Sequence, residues 1–161
     1  MIRIVIKRMI MMNKIKKHCK LNGLILQIYN KFYMFSLNCR NDFDFSIKTI
    51  DKEYKVKFFA TLSKTSWVNF RDEYKYQICR VNKVFRRFDD NTRKYDENKI
   101  KPISVMKNFE QTENVVPVLL MCPVSIYEIR YTHGSHIEHL SVGDKIGEFV
   151  FTNTTNLLKM L

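Results

Sequence analysis

Several patterns that identify common protein classes are missing from this sequence of 161 residues. The most apolar stretch, 21–37, is interrupted by polar and charged side chains, which argues against an integral membrane protein. The four cysteines are isolated, with no C-x-x-C pair that would form half of a zinc site, so we expect reduced, partly buried thiols. No glycine-rich phosphate loop, G-x-S-x-G elbow or catalytic Cys/His signature occurs. We therefore expect neither enzymatic activity nor a cofactor.

Acidic residues are absent from positions 1–40, which hold nine Lys and Arg. The formal net charge of the chain is +12, although residues 102–161 hold four basic and six acidic groups. A strongly basic half favours a polyanionic partner, because each neutralised phosphate releases counterions. Charge alone leaves RNA, DNA and anionic lipid open. The acid-free start also resembles a mitochondrial transit segment, the alternative being a basic extension that stays on the mature protein.

Alanine occurs once, at Ala60, and alanine, glycine, proline and arginine together supply only 17 residues. Isoleucine, lysine, asparagine, phenylalanine and tyrosine supply 68. The first group is encoded mostly by GC-rich codons and the second by AT-rich codons. The bias therefore indicates a very AT-rich genome, such as that of an organelle, a parasite or a large virus.

The apolar pattern predicts a mixture of helices and strands. A three-to-four-residue recurrence predicts a helix at 21–36, and strict alternation over 41–47 and 54–60 predicts a β-hairpin. A second helix is predicted from Asn69, as N-cap, to Phe88, followed by a charged loop at 89–99. Further strands are predicted near 115–121, 124–132, 136–140 and 148–152. The predicted fold class is α+β.

Three histidines, His133, His136 and His139, have an H-x-x-H-x-x-H spacing that on a helix would suit zinc or copper. Gly134 and Ser135 break a helix at this point, and on a strand residues three apart point to opposite faces. We therefore interpret the segment as a turn with polar imidazoles that face solvent or RNA, and we predict no metal site.

One motif indicates a function. Residues 142–152 read V-G-D-K-I-G-E-F-V-F-T, which resembles the V-G-H-K-L-G-E-F-x-x-T signature of the S-nineteen family of small-subunit ribosomal proteins. The His-Gly at 133–134 stands where that family has an Asn-Gly-type turn. Two weaker matches follow the family order: residues 63–70 resemble its R-S-x-W-K-G-P-F segment, and residues 120–124 its S-T-I-x-P strand. The resemblance covers about residues 63–153.

The resemblance implies a divergent mitochondrial member of this family, in which an N-terminal helix packs on a small, mainly antiparallel sheet. The implied domains are a basic helix-plus-hairpin extension at 1–62, an RNA-binding domain at 63–153 and a short tail at 154–161. The implied role is structural: binding of small-subunit ribosomal RNA in the head, beside the S-thirteen family protein, in the mitochondrial matrix. No membrane and no small-molecule substrate are expected as partners. A plastid ribosome would keep the function and change only the compartment.

Matching to the motifs also implies an RNA-facing surface, with Thr152 near it. Core packing is the alternative for Trp67, and a solvated face is the alternative for each basic residue. The residues expected at this surface are Lys64, Trp67, Arg71, Lys107, His133, Gly134, Ser135, His136 and Lys145.

The chain departs from the family pattern in ways that favour keeping a rival hypothesis. Asp144 stands where the family has His, Val68 and Asn69 replace the Gly-Pro of the entry segment, and the tail at 153–161 carries only Lys159 as a charged side chain. The rival is a viral or parasite interaction module whose basic amphipathic start binds an anionic membrane or a host protein.

Overall fold

The computed structural model describes residues 2–29, 43–60, 66–72, 75–80, 101–102, 109, 112–122, 126–133 and 136–161. Helix α1 spans Ile2–Leu21 and helix α2 spans Thr154–Met160. The strands are β1 Ile25–Ile28, β2 Phe45–Lys48, β3 Glu53–Ala60, β4 Ser66–Asp72, β5 Lys75–Arg80, β6 Lys101–Pro102, β7 Val115–Cys122, β8 Ile126–His133, β9 His136–Leu140, β10 Lys145–Ile146 and β11 Phe149–Thr152.

The described strands form two sheets. The first has the order β1-β2-β3-β7-β11-β10, and the second has the order β6-β5-β4-β8-β9. The pairs β3–β7, β7–β11 and β4–β8 are parallel, whereas the other pairs are antiparallel. Helices α1 and α2 contact each other and pack on one face of the first sheet. This arrangement confirms the predicted α+β class.

Strand β7 lies inside the first sheet and is buried on both faces. Val118 and Leu120 pack in the cluster under the helices, whereas Leu119 and Met121 pack in a second cluster that includes Phe70 of β4. This division follows from the two-residue period of a strand. The nearly continuous apolar sequence of β7 therefore reflects a position between the helix layer and the second sheet.

Helix α1 ends at a glycine. Gly23 has φ +64°, and the N–H of Leu24 donates to the carbonyl oxygen of Cys19 at 2.9 Å. This 6→1 hydrogen bond is that of a Schellman motif, in which glycine adopts the left-handed conformation without steric cost. Beyond it the chain forms β1, which pairs antiparallel with β2.

The predicted helix at 21–36 is wrong where the structure describes it. The helix lies earlier in the chain, and residues 25–28 form a strand; residues 30–36 lie outside the described part. Leu24 and Leu26 pack against the core whereas Ile25 is exposed, which is the alternation of a strand. The helical spacing of the apolar residues therefore has no structural counterpart here.

The predicted helix at 69–88 is also wrong over its described part. Residues 66–72 and 75–80 form the antiparallel hairpin β4–β5, and β4 pairs in parallel with β8 on its other side. Phe70 is fully buried between the sheets. Hydrogen bonding to β8 and burial of Phe70 outweigh the local helical pattern. Residues 81–100, with the predicted charged loop, lie outside the described part.

The hairpin and the C-terminal strands are confirmed. Strands β2 and β3 pair antiparallel, and β7, β8, β9 and β11 match the four strands predicted after residue 115. Strand β3, from the predicted extension, pairs with β7, from the predicted RNA-binding domain, over eight residue pairs. The two predicted segments therefore share one sheet.

Two titratable side chains help to hold the helix layer on the first sheet. The hydroxyl of Tyr54 donates to the carbonyl oxygen of Met160 at 2.9 Å, which links β3 to α2, and burial raises the pKa of the phenol. Cys19 is a free, buried thiol on the inner face of α1; burial raises its pKa, partly offset by a backbone hydrogen bond. A raised thiol pKa disfavours the reactive thiolate. Cys19 thus behaves as a small core residue.

Candidate nucleic-acid interface

Residues 141–152 fold into a turn followed by a short hairpin. The N–H of Gly143 donates to the carbonyl oxygen of Phe151 at 2.7 Å, and the N–H of Phe151 donates to the carbonyl oxygen of Asp144 at 2.9 Å. Strands β10 and β11 then pair, with Lys145 opposite Val150 and Ile146 opposite Phe149. The turn is therefore fixed to β11, which is itself paired with β7.

Two glycines give this element its shape. Gly143 has φ +110° and Gly147 has φ +55°, and among the described residues positive φ occurs only at glycine. Gly147 and Glu148 form the two-residue loop between β10 and β11, and a positive φ at the first loop residue alone is the pattern of a type II′ turn. An added Cβ on Gly143 would meet nothing within 4 Å, so its backbone conformation, rather than crowding, selects glycine there.

The turn side of the element is open to solvent, whereas all four residues of β11 are buried. Ile146, Phe149 and Phe151 are buried in the cluster between the two sheets. Lys145 and Glu148 are exposed, as is the whole turn at 141–144. An ordered, exposed turn that is anchored by buried aromatic rings can lie close to a phosphate backbone.

Asp144 has a structural role in the turn. Its carboxylate accepts a hydrogen bond from the N–H of Ser141 at 2.6 Å, and its own N–H donates to the carbonyl oxygen of Ser141 at 3.1 Å. A short acidic side chain that bonds nearby backbone in this way stabilises a turn. Asp144 stands where the family pattern has histidine, and its carboxylate stabilises the turn.

The residues expected to face RNA do not all lie on one surface of the structure. Lys145 is exposed on β10, and Trp67 and Arg71 lie in β4 of the second sheet. Thr152 is fully buried, and its hydroxyl donates to the carbonyl oxygen of Asn153 at 3.3 Å. Its side chain packs inside the fold, and its position near the RNA surface stays a prediction. Lys64, Lys107, Gly134 and Ser135 lie outside the described residues.

Strands β8 and β9 flank the turn predicted in the histidine segment, and residues 134–135 of that turn lie outside the described part. His133 ends β8, His136 begins β9, and the two are paired across the antiparallel strands. His139 lies further along β9 and is exposed. Across the residues that the structure describes, no group of three or more His, Cys, Asp or Glu side chains is placed to hold a metal ion.

Within the part of the chain that the structure describes, the densest positive charge lies on α1. The helix carries seven Lys and Arg and no acidic residue. Its last two turns present Lys14, Lys16, Lys17 and Lys20 to solvent. The turn at 141–148, by contrast, carries Asp144 and Glu148 beside Lys145. Motif matching did not include α1 in the predicted RNA-facing surface. The absence of acidic residues from the start of the sequence nevertheless indicates that this helix is basic.

Helix α2 connects the two surfaces. It packs against α1, and its Asn156 side-chain amide donates to the carbonyl oxygen of Val142 in the turn at 3.5 Å. Asn153 caps the helix by accepting from the N–H of Asn156 at 2.9 Å, and Leu157 is fully buried. The turn and the basic helix are therefore attached to the same short element.

We expect Gly147→Val to lower the free energy of unfolding by about 2 kcal/mol, because a β-branched residue is strained at this positive φ. Gly147→Asn is the matched control, since asparagine is more common than valine at the positive-φ positions of such turns and should lose less stability. Urea unfolding of the two variants, compared at equal m, measures the difference. Equal losses in both would show that the loop conformation is not what requires glycine.

Comparison with protein-family models, with curated proteins and with solved structures finds no match to this chain. Among the described residues, neither α1 nor α2 combines the length and the apolar character needed to cross a membrane.

Proposed function

We propose that this chain is a structural RNA-binding constituent of a mitochondrial small ribosomal subunit. The observation that carries the proposal is the ordered turn and hairpin at 141–152, the segment whose sequence resembles the S-nineteen signature. Its glycines adopt conformations that other residues rarely tolerate, and its aromatic side chains are buried. Lys145 stays exposed at the same element. These properties suit a rigid surface that lies against folded RNA.

The proposed mechanism is scaffolding. Exposed lysines neutralise phosphates where RNA strands approach one another, and the two-sheet core fixes the positions of those lysines. Because the base edges of A-form RNA lie in a deep, narrow groove, recognition is mainly of shape, phosphate and 2′-hydroxyl groups. Within the turn itself Asp144 and Glu148 offset Lys145, so recognition there depends on shape more than on net charge.

The direct test is sedimentation of the tagged full chain from organelles of its native cells. Co-migration with small-subunit RNA through high salt is the expected result. A chain that separates from that RNA under the same conditions would refute the proposed function.

Lys145→Glu is expected to weaken incorporation into the subunit by roughly tenfold, because reversing the charge replaces attraction to a phosphate by repulsion. Lys52→Glu is the matched control: Lys52 is an exposed lysine in the turn between β2 and β3, so the change in net charge is the same. The measurement is the ratio of each variant to wild type in the small-subunit fraction. Normal occupancy of Lys145→Glu would show that Lys145 has no part in binding.

A further inference from the structure

Helix α1 has an outward face that the rest of the described chain leaves uncovered. Its inner face is fixed in the core by Met11, Met12, Ile15 and Cys19, all nearly or fully buried. On the opposite side, Ile6 is 49% exposed, Met9 48% and Ile10 53%. At 3.6 residues per turn these three positions are neighbours, so they form one apolar patch. We call it the α1 patch.

The α1 patch is accompanied by positive charge alone. Lys7 is exposed in the same turns, and Lys14, Lys16, Lys17 and Lys20 are exposed in the turns that follow. No acidic residue lies on the helix to form pairs along its length. The partner of this face must therefore combine an apolar layer with negative charge.

The surface of an anionic lipid bilayer has both properties. Apolar side chains of an interfacial helix enter the boundary between headgroups and acyl chains, and lysines beside them reach the anionic headgroups. An RNA backbone would match the lysines but would leave Ile6, Met9 and Ile10 against phosphates and sugars. The combination of patch and charge thus favours lipid over nucleic acid.

We propose that the outward face of α1 binds the surface of a bilayer that contains anionic phospholipids. The helix lies along the surface with the α1 patch inserted and the lysines among the headgroups. Because its inner face is part of the protein core, the whole folded body is held at the membrane. This site uses residues other than those of the turn at 141–152, and it assigns to particular residues of the folded helix the anionic-membrane contact that the rival hypothesis gave to the basic start of the chain.

The test is co-sedimentation of the purified full chain with vesicles. One set is phosphatidylcholine, and the other is an equal mixture of phosphatidylcholine and phosphatidylglycerol. We expect binding to the mixed vesicles and little binding to phosphatidylcholine. Ile6→Gln/Ile10→Gln should weaken binding by roughly tenfold or more, because two isoleucines no longer enter the bilayer. Lys14→Gln/Lys17→Gln should weaken it by roughly tenfold and make it less sensitive to salt.

Ile50→Gln is the matched control, since Ile50 is fully exposed in the turn between β2 and β3 and lies off the helix. It should bind mixed vesicles as wild type does. Equal binding by Ile6→Gln/Ile10→Gln and Ile50→Gln would overturn the proposal. So would self-association, measured by sedimentation velocity, that disappears in the α1 variant while vesicle binding persists, because the patch would then be a protein contact.

The two proposals fail separately. Loss of vesicle binding in Ile6→Gln/Ile10→Gln, with sedimentation beside small-subunit RNA unchanged, supports lipid contact at the α1 patch alone. If that variant keeps vesicle binding and loses association with the RNA, α1 is a nucleic-acid contact and the lipid proposal is wrong.

Discussion

Replacing Phe151 by alanine is expected to lower the free energy of unfolding by about 3–5 kcal/mol. Phe151 is fully buried in β11, and its ring meets that of Phe70 at 5.8 Å between centroids with an interplanar angle of 76°. Phe70 belongs to β4 of the second sheet, so this edge-to-face pair joins the two sheets. Small domains have only about 5–15 kcal/mol of net stability, and the loss is a large part of it.

Three variants make this prediction specific. Phe151→Leu retains most of the buried apolar volume and should cost about 1.5 kcal/mol. Ile50→Ala changes a fully exposed side chain and should stay within about 0.5 kcal/mol of wild type. A double-mutant cycle of Phe151→Leu with Phe70→Leu should give a coupling of about 0.5–1.5 kcal/mol, the range measured for aromatic pairs.

Urea unfolding provides these values, with the dependence of the unfolding free energy on urea concentration (m) held the same for all variants. If Phe151→Ala costs less than about 1 kcal/mol, the cluster around Phe70 and Phe151 does not hold the sheets together. A large loss with no coupling in the cycle would mean that burial of Phe151, rather than its contact with Phe70, supplies the stability.

The elements that could be predicted from the sequence are those whose signal is local. Strands β2 and β3 show strict alternation and are joined by a polar turn at Thr49–Lys52, where the N–H of Thr49 donates to the carbonyl oxygen of Lys52 at 2.9 Å. The β-rich stretch after residue 115, interrupted by proline and glycine, likewise predicts β7, β8, β9 and β11. In each case neighbouring residues specify both the strand and its end.

The two predicted helices failed because distant pairing overrides local spacing. Phe70 recurs with later apolar residues at helical intervals, but β4 pairs with β8, which lies far along the chain. Such pairing cannot be read from a window of neighbouring residues. Helix α1 was missed for another reason: Ile6, Met9 and Ile10 lie on the side opposite the core, so its apolar residues do not form one stripe.

The candidate site was predictable only in part. The glycine positions and the exposure of Lys145 follow from the motif, because a tight turn needs residues that tolerate positive φ and a charged side chain beside it stays in solvent. The burial of Thr152 depends on β11 pairing with β7, and the role of Asp144 depends on its bond to the N–H of Ser141. Both are properties of the folded chain that residue type alone does not specify.

Asp44 presents the other large expected effect: Asp44→Ala should lower the free energy of unfolding by about 2–4 kcal/mol. The side chain precedes β2 and is only 5% exposed. Its Oδ2 accepts the N–H of Phe58 at 2.7 Å, so the carboxylate continues the β2–β3 ladder beyond the last backbone pair, Phe45 with Val56. Alanine leaves that N–H without this acceptor in a part-buried position.

Asp44→Asn separates the hydrogen bond from the charge. The amide oxygen can still accept the N–H of Phe58, whereas the attraction to Lys57, whose Nζ lies 3.7 Å from Oδ1, is lost. The Lys57 side chain is 27% exposed, so this ion pair is screened by water and contributes less than about 1 kcal/mol. We therefore expect Asp44→Asn to retain more than half of the stability that Asp44→Ala loses.

Lys57→Met completes the comparison, because it removes the cation and keeps the ladder hydrogen bond. Its cost, measured by urea unfolding, should stay near that of Asp44→Asn and well below that of Asp44→Ala. If Lys57→Met proves as damaging as Asp44→Ala, the ion pair dominates and the carboxylate stabilises this edge mainly through its charge. If Asp44→Asn and Asp44→Ala are equal, the bond to the N–H of Phe58 contributes nothing, and another contact of the carboxylate must account for its burial.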